Sequence, residues 1–510
     1  ISMAHDHLAM RPGAGTIDAI RVATVRRGKT TLAQWDFKAS RADLFELPGG
    51  DVGMAVGAEL RRDTQLDDRD SRVDGTIKWT DTVTGVVQDS DLFGVSPTPD
   101  TKGARTVFAA YTEFAVPLVS PDMGVPLMQN LNLQVAGRYE HYSDFGSIAK
   151  PKVAAAWDII DEIRIRGSWA QGFRAPNLEQ TNATVVTRGN TRTDWVRCEA
   201  DLRAGRITSF DACSQSFVTT ARRAGNPDLD PEKSETWTAG TVLQPSFLET
   251  QSVRTTFTTD YWQVKQKGIV GVYGEGNALI SDYLKRLQGG SESTVTRAAP
   301  TADDIALFAG TGLTPVGRVT YVDDKYRNLE PQTVRGLDFG LNVAVKDTDI
   351  GSFNLSANVA YLLKYFRDAS DDIQTLIDAR ADGTINKDTI IPEGGNLIRI
   401  DGFPRWRASG SLTWKLDQFT AGAFVNYRSS VIDDDISVNG QNFKVKSYTT
   451  ASLYVQREFE ELLGDRTTLR VGVRNITDKR PPIDSSAFGY MGSLDSPMPR
   501  YWYASIRADF

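Results

Sequence analysis

Apolar and polar residues alternate with a period of two along most of this chain. Leu337, Phe339 and Leu341, for example, alternate with Asp338 and Gly340. Successive side chains of a β-strand point to opposite faces, so the pattern predicts strands with one apolar and one polar face. The apolar face could meet the core of a soluble sheet or the lipid around a barrel, and alternation alone leaves both open. About sixteen strands are predicted, at residues 17–27, 30–40, 50–63, 104–116, 129–142, 148–158, 161–172, 232–244, 251–267, 332–346, 351–366, 403–416, 418–430, 446–459, 465–476 and 500–510.

The lengths of the strands and of their connections favour the membrane fold. The predicted strands have roughly 11 to 17 residues, against about five or six in soluble proteins and about 9 to 11 for a tilted membrane strand. Connections alternate between long and short, although 143–147 is short where a long one is due. We therefore predict an all-β fold, a transmembrane antiparallel up-and-down β-barrel with long extracellular loops and short periplasmic turns. The long loops are at 64–103, 173–231, 268–331, 367–402, 431–445 and 477–499.

Composition on its own points to a different class of protein. The chain is 40% hydrophobic with a mean hydropathy of −0.33, and no stretch approaches a membrane helix. Such averages suggest a soluble protein of about three domains. Average hydropathy does not reveal a membrane β-barrel, because its polar lumen face and long loops offset the hydrophobicity of the lipid-facing residues. The net charge of −7 and the lack of a dense Lys/Arg run argue against a nucleic-acid partner.

The sequence carries no catalytic signature. GxSxG, P-loop and HExxH patterns are absent, so we predict neither an enzyme nor a cofactor. The triplet His5-Asp6-His7 has no third ligand motif nearby, and we predict no metal site there.

Four segments resemble signatures of the TonB-dependent outer-membrane receptors. They read GSWAQGFRAPN at 167–177, NPDLDPEKSE at 226–235, VRGLD at 334–338 and VRNITDK at 473–479. In addition, LFELPGG at 44–50 is similar to a periplasmic turn of large receptors, and the last strand ends in Phe510, as the assembly signal of outer-membrane barrels does. In this order and spacing the motifs are specific, and the resemblance covers nearly the whole chain.

The resemblance implies a domain organisation that this chain shows only in part. Members of the family have an N-terminal plug domain and then a barrel of about 22 strands. We expect residues 1–16 to be a ragged N-terminal segment and 17–510 to be a partial barrel, with about sixteen strands of 22 and the plug outside this chain. A sheet with open edges cannot remain in lipid. The alternative is a natural sixteen-strand barrel without a plug.

The resemblance also implies a function and a location. We expect active transport of a scarce small-molecule ligand across the bacterial outer membrane, driven by the TonB–ExbB–ExbD system through the plug. The ligand could be siderophore-iron, another metal chelate, cobalamin or an oligosaccharide. The alternative function is a porin-like passive diffusion pore.

Candidate site residues fall into three groups. Cys198 and Cys213 share one predicted outer loop, where the oxidising export route favours a disulfide. The same loop supplies candidate ligand contacts, since aromatic and Arg side chains dominate recognition surfaces; they are Phe173, Arg174, Asn177, Trp195 and Arg197. The third group is the charged residues at the polar positions of the predicted strands, which would point into the lumen and face the plug or a water-filled pore. They are Arg138, Glu140, Arg166, Asp338, Arg428, Arg470 and Arg474.

Overall fold

A computed structural model describes Gly15, Asp18, Ile20 and residues 21–510 except 84, 86, 89, 93–96, 386–388, 390, 392, 393, 401, 439, 440 and 487. The predicted ragged segment 1–16, apart from Gly15, and the triplet at 5–7 therefore lie outside the described residues.

One large antiparallel sheet dominates the described part of the chain. Strands are numbered β1–β26 in chain order, and sixteen of them form this sheet. Fifteen follow one another across it in chain order, which confirms the predicted up-and-down meander; the sixteenth, β19 (Gly395–Asn396), pairs only with β18. The fifteen are β1 (Arg26–Leu47), β2 (Gly50–Arg69), β5 (Thr101–Val119), β6 (Asn130–Tyr142), β7 (Gly146–Ile160), β8 (Ile163–Arg174), β11 (Glu232–Leu243), β12 (Val253–Lys267), β17 (Gln332–Thr348), β18 (Gly351–Arg367), β20 (Trp406–Leu416), β21 (Phe419–Arg428), β24 (Tyr448–Glu460), β25 (Arg466–Arg474) and β26 (Tyr501–Asp509).

The connections separate by length between the two sides of the sheet. The long loops 70–100, 175–231, 268–331, 368–405, 429–447 and 475–500 all leave the same side. The turns on the other side are short, the longest being 120–129, and the turn 143–145 is the short exception on the loop side. The predicted asymmetry is thus confirmed, with the long loops extracellular and the turns periplasmic.

The first two predicted strands, 17–27 and 30–40, have the wrong bounds. β1 runs without interruption from Arg26 to Leu47, so it contains all of 30–40 but only Arg26 and Arg27 of the first predicted strand, and residues 21–25 lie outside any strand. Gly28 remains in the ladder opposite Asp67, because the long neighbour β2 holds it in extended conformation. Among the described residues, β1 pairs only with β2, and β26 only with β25, so the sheet has two open edges.

The remaining elements lie in the connections, mainly in the extracellular loops. They include five helices: α1 (Leu178–Asn182), α2 (Trp195–Arg203), α3 (Glu275–Leu287), α4 (Ala302–Phe308) and α5 (Asp371–Asp382). No helix among the described residues has the length and apolar character needed to cross a membrane. The short strands are β3 (Trp79–Thr80), β4 (Val87–Gln88), β9 (Val186–Thr193), β10 (Ser216–Arg223), β13 (Ile269–Gly271), β14 (Val295–Arg297), β15 (Val319–Asp323), β16 (Arg327–Leu329), β22 (Val431–Val438) and β23 (Gln441–Val445), and the 3₁₀ turns are Pro121–Met123, Phe210–Ala212 and Ser246–Leu248.

The registers give the sheet one apolar and one polar face. Tyr261 is opposite Leu337, while the next residues, Asp260 and Asp338, oppose each other on the other face. The apolar face leaves large side chains such as Trp502 exposed to the surroundings. That face meets lipid, and the polar face lines the lumen.

Candidate ligand-binding cap and lumen wall

Three extracellular loops fold together over the barrel into one body, which we call the cap (residues 175–231, 268–331 and 368–405). Helices α2, α3, α4 and α5 pack around a shared apolar core. Val196, Ile280, Phe308 and Ile373 each come from a different helix, and all four are buried. Since these contacts join distant parts of the chain, the loops are ordered by their own core.

A disulfide ties two segments of the cap together. Cys198 in α2 and Cys213 after the turn Phe210–Ala212 are bonded, with a Cα–Cα distance of 5.6 Å. The predicted disulfide is thus confirmed. It fixes α2 against the strand β10, which begins at Ser216.

A buried ion network joins the first two loops of the cap. The Arg297 guanidinium donates to Asp194 at 2.7 and 3.0 Å and to Asp282 at 2.9 Å. Asp282 also accepts from Arg286 at 2.9 Å. Burial disfavours the charged form of Arg297, but its bonds to Asp194 and Asp282 outweigh this and raise the pKa of Arg297. The network links β14 to α3 and to the residue before α2.

Trp195 and Arg197, predicted as ligand contacts, lie inside the cap. Trp195 begins α2 and packs edge-on against Phe210, with ring centres 5.7 Å apart. Arg197 has a side chain only 8% exposed, and its guanidinium donates to Asp304 and to Gln215. The structure therefore gives both residues contacts that hold the cap together.

Phe173, Arg174 and Asn177 lie where β8 passes into the cap. Phe173 packs edge-on against Tyr142 at 6.0 Å. Arg174 is 67% exposed and donates to the buried carboxylate of Glu232. Asn177 caps α1, accepting the Gln180 N–H at 2.7 Å. Of the five predicted contacts, Arg174 and Asn177 are the exposed ones, and Arg174 is the one that carries a charge.

On the lumen wall, Arg166 reaches across a neighbouring strand. Its guanidinium donates to both oxygens of Asp260 at 3.0 and 2.7 Å, although β11 lies between β8 and β12. Gly240 of β11 makes this possible: a Cβ there would lie 2.0 Å from Asp260 Oδ1. Asp338 is opposite Asp260, and in the described part of the protein its carboxylate has no ion pair.

A second lumen cluster lies on β2 and β6. Arg138 donates to Glu140 and, at 3.2 Å, to Glu59. Glu140 is buried and also accepts the Tyr142 hydroxyl proton at 2.6 Å. Arg61 adds a bond to Glu59 at 3.0 Å. These charges are therefore paired within the wall.

Arg428 fastens an extracellular loop to the wall. Its guanidinium forms a two-point pair with Asp495 of the loop 475–500, and both side chains are buried. It also donates to the Lys446 carbonyl at 2.8 Å. The Tyr448 hydroxyl adds a bond to the Ser496 carbonyl at 3.1 Å. This predicted lumen charge therefore positions a loop.

Arg470 and Arg474 lie on tyrosine rings. Arg470 is 4.5 Å from the centre of the Tyr454 ring, and that ring covers Gly422. Arg474 is 5.6 Å from the centre of the Tyr503 ring, which covers Gly472. Arg470 also donates to Gln456 at 2.6 Å, but no ion pair of Arg474 occurs within the described ranges. Because a glycine has no Cβ, Gly422 leaves space for the Tyr454 ring and Gly472 leaves space for the Tyr503 ring.

A polar cleft of about 680 Å³ opens in the lumen wall between β12 and β24, next to the loop 475–500. Carboxylates, amides and hydroxyls line it, including Asp260, Asp338, Asn358, Ser409 and Asn426. Such a surface can hydrogen-bond a polar partner in the lumen.

Several important partners were not predicted from the sequence. The lumen-facing position of Asp260 could have been predicted, because Asp260 alternates with Thr259 and Tyr261 on a predicted strand. The contact of Asp495 with the wall could not, because no periodicity locates a loop residue against the wall.

The antiparallel sheet with one lipid-facing and one polar lumen face defines the class of transmembrane β-barrel proteins. The comparison with family models gives the same class. Residues 11–476 match the family model described as "TonB dependent receptor-like, beta-barrel". The chain therefore belongs to this family, and the protein is located in the bacterial outer membrane.

Curated relatives are distant. The iron-regulated outer membrane virulence protein of Vibrio cholerae is 20% identical over 378 residues, covering 74% of this chain and 42% of the relative. A probable TonB-dependent siderophore receptor, PirA, of Acinetobacter baumannii is 21% identical over 382 residues, covering 73% and 40%. The chain thus spans less than half the length of these relatives. Their names describe a virulence protein and a receptor.

Solved structures share the fold. The siderophore receptor PirA from Acinetobacter baumannii superposes with a TM-score of 0.57 at 16% identity, covering 94% of this chain and 55% of the other. A mutant ferric enterobactin receptor, PfeA, from Pseudomonas aeruginosa gives 0.55 at 15% identity, covering 95% and 54%.

Proposed function

We propose that this chain supplies most of the barrel of a TonB-dependent receptor that imports a scarce ligand across the outer membrane. The family match carries the proposal. The names of the relatives and structural neighbours favour a ferric siderophore over cobalamin, other chelates or an oligosaccharide. A passive pore is the weaker candidate, because no such protein appears among these relatives.

We further propose that a plug domain, outside the described fold, occupies the lumen and transmits the pull of TonB–ExbB–ExbD. Charges on a lumen wall need water or a polar partner. Asp338 and Arg474, which have no ion pair in the part described, and the polar cleft would meet the plug. The other predicted lumen charges would stabilise the wall and its loops, since each already has a hydrogen-bond partner there. They are Arg138, Glu140, Arg166, Arg428 and Arg470.

The ligand would bind between the cap and the lumen. Arg174 is our proposed direct contact, with Phe173 beside it, because a guanidinium that is 67% exposed can bind an anionic chelate. Asn177, Trp195 and Arg197 would support the site indirectly by ordering α1 and α2.

Uptake of ⁵⁵Fe-labelled ferric enterobactin and a panel of other ferric siderophores tests the proposal. A strain lacking this gene should lose uptake of one chelate and regain it on complementation, but only when TonB is present. TonB-independent flux of small solutes through the purified protein in liposomes would instead support the pore.

A second measurement tests the site. Arg174→Gln should weaken binding of the imported chelate about tenfold, in line with loss of one charged contact. Arg188→Gln, which removes an exposed cation in the adjoining loop 175–231, should leave binding unchanged. Equal effects of the two variants would contradict the assignment.

A further inference from the structure

The lipid-facing side of the sheet changes character at the outer ends of five neighbouring strands. On β17 its positions are apolar up to Leu337, and the next one is Arg335. On β18 they are apolar or aromatic up to Tyr361. A register shift follows, so the next residue on this face, opposite Arg335, is Lys364. A similar change occurs on β12 and, beyond Glu235, on β11. Just before β20, the guanidinium of Arg405 reaches this face at the Tyr361 hydroxyl. The basic residues, which we call the outer basic patch, are Lys233, Lys265, Lys267, Arg335, Lys364 and Arg405.

Several of these cations face one another directly. Arg335 is the register partner of Lys364, and Lys233 is that of Lys267. Like charges opposite each other in a sheet are destabilising. In the described part of the chain none of the six forms a salt bridge, and the one acid among them, Glu235, is opposite Lys265 and accepts the Trp237 indole N–H at 2.7 Å. With six cations and one carboxylate, the patch carries an excess of positive charge.

The patch differs from other outer lipid-facing cations because four of its members oppose one another in pairs, and it lies at a defined depth. Lys29 on β1 and Lys102 on β5 also occupy outer lipid-facing positions, but both are opposite Leu66 of β2. Such positions carry neutral residues on β7 and β24, namely Ser147 and Thr449. Just below the patch are Tyr361 and Trp406, with ring centres 4.2 Å apart; Arg405 donates to the Tyr361 hydroxyl at 3.2 Å. Aromatic girdles mark the interface of a membrane barrel. The cations thus lie at the level of the outer-leaflet headgroups.

We propose that the outer basic patch is a binding site for the phosphate groups of an anionic glycolipid in the outer leaflet. Arginine binds phosphate through two parallel N–H bonds, and lysine binds it as a point charge. A phosphate between Arg335 and Lys364 relieves their repulsion. The bound lipid would cover the flank of the barrel beneath the cap, independently of the import function.

Diphosphoryl lipid A in detergent micelles is the probe, titrated into the protein purified from outer membranes and read by native mass spectrometry. Each basic residue near an anionic lipid surface contributes about fivefold in affinity. The triple variant Lys265→Gln, Arg335→Gln, Lys364→Gln should therefore bind on the order of 100-fold more weakly. If the triple variant does not fold, as judged by its heat-modified gel mobility, Arg335→Gln alone should lose about fivefold.

Arg457→Gln is the matched control. Arg457 is also a lipid-facing cation beside aromatic rings, 5.0 Å from the centre of Phe419, but it lies at the periplasmic end of β24. Its substitution should leave binding unchanged. Unchanged affinity in the triple variant, or equal binding of dephosphorylated lipid A by the unmodified protein, would overturn the proposal. Displacement of the lipid by inorganic phosphate at equal concentration would overturn the assignment to a lipid.

Discussion

At the scale of single residues, the lumen wall is built by pairing a glycine on one strand with a large polar group from the next. Gly240 makes room for the Arg166–Asp260 pair, and Gly422 for the ring of Tyr454. The face of the sheet on which each of these residues lies could be predicted from the alternation alone. Their pairing could not, because it depends on the register between strands, which a sequence pattern does not fix.

Gly240→Val tests this packing. The new Cβ would lie 2.0 Å from Asp260 Oδ1, so the Arg166–Asp260 pair must break or the strand must shift. We expect a loss of about 1–3 kcal/mol in barrel stability, seen as a lower temperature for the heat-modified gel shift. Gly137→Val is the control, since a Cβ at Gly137 meets nothing within 4 Å. Equal shifts in both variants would contradict the packing argument.

The buried Arg428–Asp495 pair gives a second prediction. Asp495→Ala leaves the Arg428 charge buried without its carboxylate, which typically costs about 3–5 kcal/mol. We expect the loop 475–500 to detach from the wall and to be cleaved faster by protease added to intact cells. Arg474→Gln, on the same wall but outside any described ion pair, should leave cleavage unchanged. If both variants are cleaved alike, the pair does not hold the loop.

At the scale of elements, the sequence predicted the strands well and the loops poorly. Long strands have a strong period of two, and the main errors were the strand predicted at 17–27, of which only Arg26 and Arg27 lie in β1, and the break at Gly28. The helices of the cap have little local signal because they are short and their apolar residues meet across separate loops. Ile280 and Ile373, for instance, share one core although they are far apart in the sequence.

The disulfide is expected to stabilise the cap and not the barrel. Closing a segment with a separation of 15 residues is worth about 3 kcal/mol in the chain-entropy account. In the double variant Cys198→Ser, Cys213→Ser, amide hydrogen exchange should accelerate in α2. Exchange in β11 serves as the internal control and should not change. Faster exchange in β11 would mean that the cap and barrel unfold together.

The start of α4 predicts an acid sensitivity of the cap. The N–H of Thr301, and then the Arg197 guanidinium, lower the pKa of Asp304 to about 2. Since the folded-state pKa lies below the unfolded value, the stabilisation is complete above pH of about 4 and is lost as pH falls towards 2. Hydrogen exchange in α4, corrected for its intrinsic pH dependence, should accelerate over that range. Asp304→Asn should remove this pH dependence and lower protection at neutral pH.

At the scale of the whole molecule, the sheet has two edges that lipid does not tolerate. β1 and β26 each have one neighbour in the described structure, and an unpaired backbone group in hydrocarbon costs several kcal/mol. Either the two edges meet in the membrane or further strands lie between them. The family resemblance and the shared fold of longer structures favour further strands.

Cysteine cross-linking in outer membranes distinguishes these two arrangements. Ala33→Cys or Ala39→Cys on β1, each combined with Ala504→Cys on β26, should not be joined by a short bifunctional thiol reagent, because intervening strands of about 4.8 Å each would separate them. Val471→Cys with Ala504→Cys is the positive control, since these residues are register partners on β25 and β26. Efficient cross-linking between β1 and β26 would mean that the barrel closes on the strands of this chain, and a narrower lumen would then leave less room for a plug.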